Sequence, residues 1–291
     1  MSVRFSVIIP TRHRNDLLAK CLDCLAPGVQ TLSADQYEVI VTDDGSKSTA
    51  EQMLRERYPW ARWIAGPQRG PASNRNNGAQ RAVGDYIAFT DDDCLPERGW
   101  LEAFDNSLSS DVSVYEGKTV CRDGIRSPLE TAPCNETGGY LWSCNMAVEK
   151  SLFSQMGGFD EVFPYPAMED VDFRERLRED GHPFVFAAEA VVDHPPRRLD
   201  SGVCRGAMWE SRIYYYIKSG KYTGDIRWFV VRMLLNYQIR AIMKSKIQRG
   251  TLQYVCVIVT ESLYCLFNVN RWSKKHKHVS ERNGIKKTSP V

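Results

Sequence analysis

Asp85-Tyr86-Ile87-Ala88-Phe89-Thr90-Asp91-Asp92-Asp93 places a mostly aromatic and β-branched run directly before three consecutive acids. The run has the composition of a buried strand, whereas adjacent carboxylates repel one another and form strands poorly. They are tolerated best where a cation or a cationic ligand offsets the repulsion. A strand ending in such a cluster fits an open α/β sheet, which binds its ligands at the carboxyl ends of its strands. Because extended side chains alternate, Asp91 and Asp93 project together and Asp92 points away. An Asp-x-Asp pair suits a hard divalent cation that shares its oxygen shell with a diphosphate. Taken alone, the same residues also fit a solvated acidic turn or an N-cap cluster ahead of Pro96 to Leu101, so the surrounding chain has to decide.

Upstream, Phe5-Ser6-Val7-Ile8-Ile9-Pro10 reads as a short strand closed by proline and a polar loop, Thr11 to Asn15. Asp16 is the expected cap of a helix with Leu17, Leu18, Cys21, Leu22 and Leu25 on one face. Tyr37 to Thr42 reads as a second strand, Glu51 to Tyr58 as a helix and Ala61 to Ala65 as a third strand. Ser73 to Ala82 is a helix stopped by Gly84, and further helices are expected near 100–107 and over 169–179. Strands alternating with helices at this spacing indicate a mostly parallel sheet flanked by helices. The expected organisation is one α/β domain over residues 1–205 and a helical, basic C-terminal extension over 206–291.

Four further groups carry chemistry. Asp43-Asp44-Gly45-Ser46 ends its strand as the triple aspartate does, so both acidic sites should open on one sheet edge. Its carboxylates can accept hydrogen bonds from a base N–H or a ribose hydroxyl, and Gly45 is expected to turn the chain with positive φ. Arg75 lies near a helix start, where guanidinium and helix dipole both favour an anion. Glu169 and Asp170, after Gly157-Gly158-Phe159-Asp160-Glu161, open another helix. There the dipole should lower their pKa and leave a carboxylate ready to take a proton from a hydroxyl. His194, in Asp193-His194-Pro195-Pro196, ends another apolar strand and is a candidate metal ligand. Each group alone has a plainer reading: a β-turn, a surface arginine, helix capping or a structural histidine.

The net charge of +2 is uneven. From Arg240 onward, 11 Lys/Arg oppose Glu261 and Glu281, leaving −7 on the first 239 residues. A slightly acidic body argues against a nucleic-acid binder, and a basic tail fits an anionic lipid surface. The nine cysteines lack metal-ligand spacing, and the lone CxxC at Cys21 and Cys24 falls in a helical pattern, as in a reduced cytoplasmic protein. Arg4 and the short run before Pro10 do not form a signal peptide, so the expected location is cytoplasmic or peripheral on the cytosolic face of a membrane.

Taken in order, Val7-Ile8-Ile9-Pro10-Thr11, Val41-Thr42-Asp43-Asp44-Gly45-Ser46, Arg75-Asn76-Asn77-Gly78, Gly84 to Asp93, Gly157 to Glu161 and Glu169 to Phe173 resemble glycosyltransferase family 2. The resemblance covers roughly residues 5–200 and implies the type A glycosyltransferase fold. It further implies an inverting, metal-dependent transfer from a nucleotide diphosphate sugar to a glycan or lipid-linked acceptor. By the same resemblance Pro10, Thr11, Arg14, Asp43, Asp44, Arg75, Asp91 and Asp92 bind the nucleotide, and Asp93 with His194 holds Mn²⁺ or Mg²⁺. Asp170 would be the catalytic base beside Glu169. The loop from Cys121 to Gly139 does not align and is assigned to acceptor choice.

Two alternatives stand beside this one. A sugar nucleotidyltransferase would open with a glycine-rich phosphate loop, which Pro10-Thr11-Arg12-His13-Arg14 is not. A nucleotide- or carbohydrate-binding protein without catalysis would have little use for both Asp-x-Asp and Glu-Asp. In the tail, Trp228 to Met243 reads as a basic amphipathic helix. Thr251 to Val269 is barely long enough to span a bilayer, with Glu261 near its middle. Packing on the catalytic domain or in a homodimer, lying in a membrane interface with Lys274 to His278 on lipid head groups, and spanning all stay open. A membrane-bound tail would suit bacterial polysaccharide or glycolipid assembly.

Overall fold

The computed structural model describes residues 3–220, 225–244 and 250–282. In chain order the first elements are β1 (Phe5–Thr11), α1 (Asn15–Leu25), β2 (Tyr37–Asp43), α2 (Glu51–Arg57), β3 (Ala61–Ala65), α3 (Pro71–Ala79) and β4 (Tyr86–Thr90). They are followed by β5 (Leu95–Pro96), α4 (Trp100–Ser107), β6 (Val114–Val120), β7 (Glu130–Thr131), β8 (Asn145–Glu149), α5 (Lys150–Gln155), α6 (Glu169–Glu179) and β9 (Val185–Asp193). The C-terminal elements are β10 (Arg197–Arg198), α7 (Gly202–Ala207), α8 (Trp209–Lys218), α9 (Ile226–Lys244) and α10 (Thr251–Arg282).

Eight strands form one sheet in the order β3-β2-β1-β4-β8-β6-β9-β5. β1, β2, β3 and β4 are mutually parallel neighbours, and only β8 and the two-residue β5 run against the rest. This arrangement decides where the chemistry falls. Because β8 is antiparallel to both β4 and β6, it returns β6 to the direction of β4, and β9 pairs parallel to β6. The carboxyl ends of β1, β2, β4, β6 and β9 therefore share one edge, bringing Thr11, Asp43, Asp91 and His194 to the same side of the sheet.

The core lies on both faces of this sheet. Leu18, Leu22, Trp100 and Phe104 pack on one side, while Phe89, Phe153, Phe159 and Phe173 cluster on the other. Two glycines are required by close approach. A Cβ on Gly78 would lie 2.5 Å from Ile8 Cγ2, so α3 can sit this close to β1 only without a side chain there. A Cβ on Gly117 would lie 2.2 Å from Asn145 Oδ1. Asn145 fills that space to donate to Lys118 O at 2.9 Å and Ala190 O at 3.0 Å, where β9 shifts register against β6.

Several local expectations change. β1 continues through Pro10 to Thr11, because a proline at a strand end costs only one ladder donor. Asp16 lies inside the first turn of α1 and does not cap it; Arg14 holds the N-cap position without a side-chain bond. Gly45 does not have positive φ. It is needed because a Cβ there would fall 2.1 Å from Ser48 O.

By its internal contacts the chain divides into two compact units. One comprises residues 1–124, 132–161 and 169–196 and holds the sheet; the other gathers 125–131, 162–168 and 197–291. In the second unit β10 pairs antiparallel with β7. Ile226, Val230 and Leu234 of α9 pack with Trp209 and Ile213 of α8 and with Cys265, Val269 and Trp272 of α10. That face of α9 is therefore core, while Trp228 and Leu235 on the same helix are exposed. The side chains of Ile239, Arg240, Ile242 and Lys244 lie outside the described residues.

Candidate active site

The acidic triplet is sorted by its surroundings. Asp92 is fully buried: its Oδ2 accepts from Thr11 Oγ1 at 2.7 Å and Arg14 Nε at 3.1 Å, and Arg14 Nη2 lies 2.6 Å from Oδ1. Burial pushes its carboxyl up to about 7 despite Arg14 and Thr11. Asp92 thus ties β1, the loop after it and β4 together beneath the site. Arg14 also donates to Asp93 Oδ2 at 3.0 Å. Asp91 turns the other way, to Arg75 at 2.5 Å.

Arg75 joins the two acidic centres. It is 5% exposed, and its second nitrogen donates to Glu169 Oε1 at 3.4 Å, on the first turn of α6. Burial works against its charge, but Asp91 and Glu169 outweigh burial and raise its pKa. For Asp91, burial alone would favour the neutral acid; Arg75 reverses this and holds the carboxyl below its ordinary value.

The helix-terminal carboxylates behave differently from the sequence expectation. Glu169 is pushed up to about 7 by burial and then by the charge of Asp170, and Asp170 is raised by burial although it accepts from Val171 N at 2.7 Å. Desolvation outweighs the helix dipole because the dipole offers only partial charges, and the loss of water removes a full shell. A carboxylate raised this way is a stronger base. Met168, with φ of 77°, immediately precedes this pair, a strained backbone for a non-glycine residue.

Neighbouring polar side chains hold the frame. Asn74 accepts from Thr42 Oγ1 at 2.6 Å and donates to Thr42 O at 2.8 Å. Asn76 exchanges bonds with the backbone of Phe159, donating at 2.8 Å and accepting at 2.9 Å. Reading Arg75 in isolation missed these two asparagines; the signal was their i±1 flanking positions on a helix with almost no apolar face. Asp43 accepts from Gly45 N, Ala50 N and Trp63 Nε1, and Asp44 from Gln68 N and Gly70 N. Both therefore shape the loops around the edge, and burial raises Asp44.

His194 reaches the site because its N–H bonds to Val120 O at 2.8 Å, continuing the β6–β9 ladder. Nδ1 lies 3.1 Å from Pro195 O, a contact that places the ring proton on Nδ1. Nε2 then lies 3.6 Å from Asp93 Oδ1. An imidazole and a carboxylate this close together are a donor set that fits a divalent ion. Cys94 Sγ belongs to the same group of donors, all within 4.8 Å of one another. Its hydrogen bond to Cys144 and its burial hold the thiol well above the usual range.

Residues 6–129 match the family model described as "Glycosyl transferase family 2". Those residues carry a domain of this family. It is 28% identical over 205 residues to glycosyltransferase AglE of Haloferax volcanii, covering 66% of this chain and 67% of that protein. It is 30% identical over 233 residues to the pre-mycofactocin glycosyltransferase of Mycobacterium tuberculosis, covering 70% of this chain and 45% of that one. The chain thus spans about half the length of the mycobacterial relative. Among solved structures, Staphylococcus aureus TarS 1–349 superposes with a TM-score of 0.58 at 15% identity, over 94% of this chain and 75% of that one. The mannosyltransferase PcManGT of Pyrobaculum calidifontis, in complex with GDP-Man and Mn²⁺, superposes with a TM-score of 0.55 at 17% identity, over 100% and 77%. These likenesses establish the type A fold.

Proposed function

We infer that this family 2 glycosyltransferase moves a sugar, with inversion, from a nucleotide diphosphate sugar to a hydroxyl of a glycan or a lipid-linked acceptor in the cytoplasm. The observation that carries this reading is the Arg75 bridge, which links Asp91, after β4, to Glu169, in the first turn of α6. Neighbours in the fold were solved with UDP, UDP-GlcNAc and GDP-Man, which supports a nucleotide sugar as donor here. Asp93 and His194 would hold Mn²⁺ or Mg²⁺. Such an ion, when bound, neutralises charge on a departing diphosphate.

The remaining chemistry belongs to side chains. Asp170 takes the proton of the acceptor hydroxyl, and the oxygen attacks the anomeric carbon from the face opposite the diphosphate. Glu169 keeps Arg75 in place beside it. Asp91 and the ends of β1 and β2, with Pro10, Thr11, Arg14, Asp43 and Asp44, orient the nucleotide.

Diphosphate release followed across common nucleotide sugars tests the reading, with the product anomer assigned by NMR. One donor should turn over, with the anomeric configuration inverted. Calorimetric binding of a nucleotide sugar without release on any acceptor would instead make the chain a binding protein.

A further inference from the structure

The C-terminal unit resolves what the sequence left open about Glu261. Along α10 the inward residues are Ile258, Glu261, Cys265, Val269, Trp272 and His276, at spacings of three or four. Glu261 is 1% exposed and accepts from Arg205 Nε at 2.8 Å and Trp209 Nε1 at 2.9 Å. Glu210 of α8 likewise accepts from Lys275 Nζ at 2.7 Å and pairs with His276 at 3.1 Å. So two members of the expected lipid-binding cluster, Lys275 and His276, serve the fold. Gly202 and Gly206 let α7 lie directly on α10, since a Cβ on Gly202 would fall 2.4 Å from Val257 O.

With its only acid of residues 251–270 turned inward, the outer face of α10 is uncharged over that stretch. Leu252 (78% exposed), Val259, Leu263, Leu266 and Phe267 (82% exposed) stand on it. The same face then becomes basic at Arg271 and Lys274, both exposed. On α9, Trp228 (73% exposed) and Leu235 are also exposed, with Arg232 between them. An apolar stripe of this size on a folded unit marks a docking surface.

We propose that this stripe lies in the interface of an anionic membrane, with Leu252 to Phe267 among the acyl chains and Arg271 and Lys274 on the head groups. Charge selects the occupant: a second copy would bring two basic ends or an uncharged face against it, whereas an anionic lipid surface complements both halves of the stripe. Spanning is excluded by the inner face. The helix carries α7 and α8 against it, with Arg205, Glu210 and Glu261, and that polar layer would have to enter hydrocarbon. The proposal does not rest on the catalytic reading.

Co-sedimentation of the full chain with phosphatidylcholine vesicles, with and without phosphatidylglycerol, tests it. Wild type should bind the anionic vesicles and be released by salt. Leu263→Asp with Phe267→Asp should abolish binding while thermal melting stays unchanged, because both side chains face outward. Arg271→Gln with Lys274→Gln should weaken binding to the anionic vesicles by roughly twenty- to thirty-fold, at ~1 kcal/mol for each basic residue near the surface. No preference for the anionic vesicles, or unimpaired binding by the double aspartate variant, overturns the proposal. So does a lipid-free dimer that the aspartate variant dissociates, which would make the stripe an interface between two copies.

Discussion

Replacing Arg75 by methionine removes the one side chain that joins both acidic centres. It leaves Asp91 and Glu169 without the guanidinium that now lies 2.5 and 3.4 Å from them. Removing one partner of a buried ion pair costs about 3–5 kcal/mol, because the remaining charge stays desolvated. At about 2–4 °C per kcal/mol for a body of this size, the melting temperature should fall by about 6–20 °C. The loss should depend on pH. In wild type Asp91 is held below its ordinary value, so it contributes stability above the unfolded carboxylate range that is lost as pH falls through its folded value. Glu169 runs the other way. With a folded value of about 7, it binds a proton more readily folded than unfolded, so its ionised form weakens the fold as pH rises from the usual carboxylate range towards 7. Without Arg75 the lowered Asp91 carboxyl rises and the raised Glu169 carboxyl rises further, so both can be neutralised by protons. The deficit of Arg75→Met should therefore be largest near pH 8 and shrink near pH 5. Adding Glu169→Gln should recover part of it by removing one stranded charge. Thermal melts of the three proteins at both pH values check this. A deficit equal at the two pH values, or none at all, would refute the argument that Arg75 compensates buried charge.

Asp93→Ala should abolish Mn²⁺ binding measured by calorimetry and diphosphate release with it, while melting close to wild type, because Asp93 lies at the site mouth and not in the core. Asp170→Asn should keep donor binding and lose transfer by several orders of magnitude, with Glu169→Gln milder; the reverse order would move the base to Glu169. The kcat/KM of wild type should fall on acidification at a pH above the ordinary carboxylate range, since burial raises the base and only its ionised form accepts a proton. A limb at or below the ordinary aspartate range would contradict that assignment. Gly45→Ala should destabilise the fold and weaken nucleotide binding, because the new methyl would fall 2.1 Å from Ser48 O, a backbone atom with little room to yield. Unchanged melting would show that the loop relaxes freely.

Much of this protein was written in local pattern. β2 and β4 are short apolar runs and α4 has apolar residues at helical spacing, and these elements, with β3 and α6, were legible to within a residue or so because such patterns are properties of consecutive residues. The residue types of the site were legible for a similar reason: acids at strand ends and at a helix start announce themselves where they stand. Only the tertiary structure decided how these groups act on one another. Arg75 and Glu169 lie 94 residues apart, and their ion pair exists only because the fold brings the start of α6 against α3. The sign of the pKa shifts at Glu169 and Asp170 needed three dimensions as well. The helix dipole can be read from position in the chain, but desolvation depends on every residue that displaces water from the carboxyl. Glu261 makes the same point in the tail: sequence counts its charge, while Arg205 and Trp209, brought in by the packing of α7 and α8, determine which way that charge faces.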